Sequence, residues 1–218
     1  MDRQVERIVD RDNSADVCAM AMMLYSLPRP IERVDGMAVM PGLGEVWRLA
    51  DAVKAWERSK TARSLIVAST YREEKTQIQP TLENMSQPPV NLRKTEGVHI
   101  QDHAHHTKEQ VDWLVGKVAE LELKSLALFV SPFHMLRAYC TLLKAFDRAQ
   151  QPMIPIIPML VAVAPDTVIP ETGVDAWGMV AGEIKRIAVY QDQGDVATYE
   201  ELRDYLTWLW QQPLLTSR

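Results

Sequence analysis

Cysteine is nearly missing from this chain. Cys18 and Cys140 are the two among 218 residues, each in an apolar helical stretch without a pairing motif. That excludes a disulfide framework and is expected of buried thiols in a reducing compartment. No run of Lys and Arg stands out, and a net charge of −5 with a pI near 5.6 gives nucleic acid no electrostatic footing. No apolar run approaches the roughly 20 residues that cross a bilayer. The opening residues, Met1-Asp2-Arg3-Gln4-Val5-Glu6-Arg7, are too charged for a signal peptide. Internal repeats and low-complexity tracts are also lacking. Together these absences lead to the expectation of a cytoplasmic protein with neither a membrane nor a nucleic-acid partner.

What is present suits a globular chain: 47% apolar and 24% charged residues, in a length that fits one domain with a sizeable core. Eleven methionines and six tryptophans can mostly enter that core, and they leave a homo-oligomer open.

Along the chain, Asn13 or Ser14 can cap a helix carrying Val17, Met20, Ala21 and Leu24, which Pro28 and Pro30 end. Residues 1–30 are expected to form a helical appendage on a main domain of 31–218. Residues 36–40 read as a first strand, Pro41-Gly42-Leu43-Gly44 as a tight turn, and Val46, Leu49, Val53 and Trp56 as one face of a helix. Strand, glycine turn and helix is the arrangement that aims backbone N–H groups at a phosphate, although the full dinucleotide fingerprint is missing. Leu65 to Ala68 reads as a second strand. The polar stretch that follows, to about Glu96 with Pro80, Pro88 and Pro89, has the length of a lid or binding loop. Residues 97–100 read as a third strand, and Thr107 with Gln110 as a capping box opening a helix with Val111, Leu114, Val115 and Val118 inward.

The most informative stretch is Phe129-Val130-Ser131-Pro132-Phe133-His134-Met135-Leu136-Arg137-Ala138. A buried strand over 126–130 passes directly into a helix, and Pro132 fits the helix start because its missing N–H is not needed there. His134 and Arg137, three apart on the first turn, project side by side. An imidazole and a guanidinium beside free helical N–H groups suit an anionic group. Beyond, the proline-punctuated run 152–158 predicts a short edge strand. Asp175 is expected to cap a helix with Val180, Ile184 and Ile187, on which Gly178 and Gly182 allow close packing. Thr198 and Glu201 form a capping box before Leu202, Tyr205, Leu206 and Leu209.

Short apolar strands alternating with amphipathic helices predict an α/β fold, a Rossmann-like three-layer α/β/α arrangement with a mainly parallel sheet of about five strands. With strand order 3-2-1-4-5, the loops after strands one and four are neighbours at the carboxyl end of the sheet. That order would bring Gly42 and Gly44 beside Ser131, His134 and Arg137.

The central stretch, Val130-Ser131-x-x-His134-Met135-x-Arg137-Ala138, resembles the signature of the YdcF-like family, and the likeness extends over roughly residues 35 to 190. The first strand and helix, including Arg48, match. The family's Ser-Gly-Gly element is reduced to Ser69, within Ala68-Ser69-Thr70-Tyr71. Its Glu-x-x-Ser-x-Asn-Thr segment aligns with residues 101–107, where Gln101, Ala104 and His106 replace glutamate, serine and asparagine and Thr107 is kept. The resemblance implies a polar pocket built from these motifs, with Ser69, Arg48 and Gln101 among its ligand-binding residues. It links the family to nucleotide-type ligands, including S-adenosylmethionine, and to envelope metabolism, although the membrane anchor of the envelope members is not matched here.

Four of the five histidines, His99, His103, His105 and His106, fall close together with Asp102 beside them. Their spacing is not that of a helical His-x-x-x-His site, and adjacent His105 and His106 do not easily face one ion, which argues against a metal. His106 beside Thr107 could handle protons near neutral pH. Ser131 lacks the Gly-x-Ser-x-Gly context of a nucleophile, so a hydroxyl that binds ligand or caps the helix fits better. The leading expectation is an enzyme acting on a phosphorylated or nucleotide-like small molecule. Arg137 would hold the anion, Thr107 and Ser131 would donate hydrogen bonds, and His134 or His106 would move protons. The alternative is a non-catalytic module binding a nucleotide- or S-adenosylmethionine-type ligand, which the loss of glutamate and serine at positions 101 and 104 favours. A third reading is a structural protein with a vestigial pocket.

Overall fold

The structure is a computed structural model that describes residues 14–69, 79–102 and 104–216. Asn13, Thr70, Tyr71 and His103, which figure in the expectations above, lie outside the described residues, as do the opening residues.

Five strands, β1 (Gly36–Val39), β2 (Ser64–Val67), β3 (Val98–Ile100), β4 (Leu126–Val130) and β5 (Ile156–Leu160), form one sheet in the order β3-β2-β1-β4-β5. Every pair is parallel, with Met37 beside Leu65 and Ala127, and Leu128 beside Pro158. The proline sits on an edge strand, where a missing N–H costs least. The central strands β1, β2 and β4 are buried along their whole length, because helices cover both faces.

Alternation along the strands divides the core. Met37, Val39, Leu65, Val67, Ala127 and Phe129 face α2 (Val46–Arg58), and Ala38, Ile66, Leu126 and Leu128 face the other way. That second face is covered by α4 (Thr107–Glu120), α5 (Pro132–Arg148) and α7 (Tyr199–Trp210). The fold is thus a Rossmann-like three-layer α/β/α arrangement. Among the described residues no helix is long and apolar enough to cross a membrane.

Several local expectations need correction. The segment after β2 is no lid where it is described. Residues 79–97 carry the short α3 (Leu82–Met85), and Met85, Val90 and Leu92 are buried against α2, because their side chains complete the apolar layer there. The first helix, α1 (Ser14–Tyr25), packs on the rest of the domain. Val17, Met20 and Leu24 enter the same cluster as α5 and α7, and the Tyr25 hydroxyl donates to the carbonyl of Pro132 at 2.6 Å. Cys140 is buried but Cys18 is exposed, since Val17 and Met20 occupy the inward face of α1. On α6 (Ala176–Asp192), Asp175 does cap, accepting from Gly178 N at 2.6 Å. A Cβ at Gly178 would meet only Val174 and Asp175, and one at Gly182 only Arg186, so neither glycine serves helix packing.

Candidate functional site

At the carboxyl ends of β1 and β4, where the strand order reverses, lies a cleft of about 380 Å³. Its walls come from the β1–α2 turn, the first turns of α4 and α5, the loop after β5, and α6. In doubly wound sheets this is where ligands bind, because neighbouring loops diverge to opposite faces and leave a crevice.

One wall is built on Glu45 and Arg48, both 3% exposed, whose side chains pair at 2.7 Å. Ser131 joins them. Its hydroxyl accepts from Arg48 Nε at 2.7 Å and from Trp47 Nε1 at 3.3 Å, and donates to Glu45 Oε2 at 3.1 Å. Arg48 Nη1 also donates to the carbonyl of Met40 at 3.1 Å. Ser131 is the N-cap of α5 by backbone conformation, yet its side chain makes no capping bond, because Glu45 and Arg48 have taken it. Burial pushes the Glu45 carboxyl up, against the downward pull of Arg48 and Ser131. The second carboxylate oxygen, Oε1, takes no hydrogen bond from the described residues and is not sealed from solvent. It lies so close to Gly42 that an added Cβ there would be 2.0 Å away. Glycine is therefore required at position 42 for the carboxylate to fold over the turn.

The facing wall centres on Glu183 of α6, 3% exposed. Arg137 donates to it twice, Nε to Oε2 at 2.6 Å and Nη2 to Oε1 at 3.1 Å, and Arg186 adds Nη1 to Oε1 at 2.9 Å. Arg137 Nη1 donates to the Thr107 hydroxyl at 3.0 Å. His134 Nδ1 lies 3.0 Å from Arg137 Nη2 and 3.3 Å from Glu183 Oε2. Because a guanidinium only donates, the nearer contact makes Nδ1 an acceptor and assigns the proton of the neutral ring to Nε2. Nε2 has no hydrogen-bond partner among the described residues. Burial, then the Arg137 charge, lowers His134 to about 4, so the ring is neutral at physiological pH. Burial alone would raise Glu183, but its contacts with His134 and Arg137 outweigh it and hold the carboxyl below the usual range.

At the rim, His106 is the N-cap of α4, its Nδ1 accepting from Glu109 N at 3.3 Å. This shifts the expected cap by one residue. Thr107 occupies the first helical turn with its hydroxyl turned to Arg137, and Gln110 Nε2 donates to the carbonyl of Ala68 at 2.5 Å instead of closing a capping box. Lys108 pairs with Asp195 at 2.6 Å.

The structure therefore gathers Gly42, Arg48, His106, Thr107, His134 and Arg137 around the cleft, with Ser131 directly behind its wall. Three expected residues fall outside. Gly44, at φ 75°, shapes the turn without lining the cleft. Ser69 and Gln101 follow β2 and β3, on the far side of β1 from β4, where Ser69 Oγ and Gln101 Oε1 are buried without hydrogen-bond partners. Sequence reasoning missed Glu45, Glu183, Lys108 and Arg186. Glu45 carries a legible signal, being three residues before Arg48. Glu183 is 46 residues from Arg137, and no local pattern marks it. Among the described residues no group of three or more His, Cys, Asp and Glu comes together as a metal site.

Comparison with models of known protein families gave no match, and neither did comparison with curated proteins.

Proposed function

We propose that the chain is a cytoplasmic, YdcF-like protein whose cleft binds a phosphorylated or nucleotide-like small molecule and acts on it, by phosphoester or pyrophosphate hydrolysis or by group transfer. The observation that carries this reading is the cleft's position at the strand-order reversal, with the first turn of the 14-residue α4 in its wall. The N–H groups of Thr107 and Lys108 precede the first intrahelical bonds, so they are open to an anion. The Thr107 hydroxyl accepts from Arg137 and keeps its own proton to donate. His134 Nε2–H supplies a further donor, and Arg186 and Lys108 add positive charge at the rim. A volume of about 380 Å³ falls toward the lower end of the roughly 300–1,000 Å³ usual for small-molecule sites.

Arg137 enters this reading in a changed role. Its fork is filled by Glu183, so it orients Thr107 and His134 and contributes charge more than it grips the ligand. His134, and less directly His106, would move protons.

A second reading, a module that binds such a ligand without chemistry, is favoured by the state of His134. A neutral imidazole titrating near 4 donates a hydrogen bond well but is poorly matched to proton transfer at neutral pH.

Native mass spectrometry and a thermal-shift panel of nucleotides, S-adenosylmethionine and sugar phosphates test the site, with phosphate release followed for every compound that binds. Stabilisation by a phosphorylated compound, weakened in Arg137→Ala, supports the cleft. Turnover then selects the enzyme and binding without turnover selects the module. A panel without any shift overturns both.

A further inference from the structure

The cleft holds one group whose chemistry opposes an anion. Glu45 is 3% exposed, and its Oε2 is satisfied by Arg48 and Ser131, but Oε1 stands in the cleft wall against Gly42 without a hydrogen-bond partner among the described residues. A carboxylate oxygen accepts and does not donate; Oε1 is open to the cleft, where water serves it until a ligand displaces that water and must bring a donor in its place. Across the cleft the free groups are of the opposite kind: His134 Nε2–H, the Thr107 hydroxyl proton and the first N–H groups of α4. The two ends are linked through Ser131, whose hydroxyl holds Glu45 while its carbonyl accepts from His134 N at 3.0 Å.

We infer that the ligand is a phosphorylated polyol of sugar-phosphate type, its phosphate on the α4 and His134 side and one of its hydroxyls donating to Glu45 Oε1. This rests on reading the cleft as a phosphate-type site and adds what lies at the other end. A hydroxyl suits the position because it donates to the carboxylate and brings no positive charge toward Arg48. A bare phosphate or an alkyl phosphate leaves Oε1 unsatisfied. The site then discriminates by an acceptor whose water the ligand has displaced and whose hydrogen bond the ligand must replace.

The test compares glycerol 3-phosphate, ribose 5-phosphate and glucose 6-phosphate with inorganic phosphate and propyl phosphate on the native protein, by calorimetry and thermal shift. At least one polyol phosphate is expected to bind roughly tenfold or more tightly than propyl phosphate, the effect of one hydrogen bond to a charged group. Glu45→Gln should shrink that preference, and Gly42→Ala, which pushes Oε1 aside while keeping the charge beside Arg48, should remove it. Should neither variant fold, the ligand comparison on native protein still decides. If propyl phosphate binds as well as every polyol phosphate, the polyol inference is overturned while the phosphate site stands. If none of the five compounds binds, this inference and the phosphate reading fall together.

Discussion

Glu183 Oε2 lies 2.6 Å from Arg137 Nε, so the guanidinium that the sequence offers to a ligand is already held by a carboxylate of its own chain. The pair is largely withdrawn from solvent, with side chains 13% and 4% exposed. Removing one member of such a pair leaves the other charge uncompensated. Glu183→Ala is expected to cost about 3–5 kcal/mol, measured by urea unfolding at neutral pH, and Glu183→Gln should cost less because the hydrogen bonds can partly re-form.

Folded His134 protonates only near pH 4, whereas the unfolded residue takes its proton near 6.5. Unfolding therefore takes up a proton between these values, and the stability His134 contributes is complete above pH 6.5 and falls as pH drops toward 4. The total is about 3 kcal/mol at roughly 1.36 kcal/mol per pH unit. Glu183 has the depressed pKa of a paired carboxylate, so its contribution is present above about pH 4.3 and is lost as acid reaches it. Urea midpoints at pH 7, 6, 5 and 4 should decline throughout, and His134→Asn should flatten the upper part of that slope. An unchanged slope in the variant would assign the titration elsewhere.

The start of β5 is fixed by tyrosine hydroxyls. Tyr205 of α7 accepts from Ile156 N at 2.9 Å and donates to the carbonyl of Ile154 at 2.9 Å, while Tyr139 donates to the carbonyl of Ile156 at 2.8 Å. Tyr205→Phe leaves a buried N–H and carbonyl without that partner, with an expected loss of about 1–3 kcal/mol in thermal or urea unfolding and a near-native circular dichroism spectrum.

The two thiols should separate cleanly. Cys18 is exposed, and Cys140 is buried with its thiol pushed up well above the ordinary value by burial. Because the thiolate is the reactive form, iodoacetamide should modify Cys18 alone in the folded protein and both in urea. Mass spectrometry counts the adducts, and rapid native labelling of Cys140 would contradict the packing of α5.

Much of this architecture is written locally. The apolar runs at 65–68 and 126–130, the helical spacing of Val111, Leu114, Val115 and Val118, and the capping box of Thr198 and Glu201 are short-range statements, and each recurs in the structure, the first as the strand Ser64–Val67. The short stretch from Val130 to Arg137 also marks one half of the cleft, since a strand, a proline and a helical turn settle where His134 and Arg137 project. Asp175 and Thr198 cap as their types suggest, whereas the cap expected at Thr107 falls on His106. Thr107 and Ser131 sit at helix starts as their types suggest, yet Arg137 and Arg48 engage their hydroxyls.

What the sequence by itself determined is the alternation of elements and the parallel sheet they must build, because periodicity, caps and apolar run lengths act within a few residues. The tertiary structure alone decided which charges meet. Glu183 reaches Arg137 across 46 positions, and Ser131 reaches Glu45 across 86. The same long-range packing left Ser69 and Gln101 beyond β1, away from the cleft. Burial removes water as a partner, so a charged or hydroxyl group must take whatever complement the fold brings near, and that choice is made only when the helices dock on the sheet.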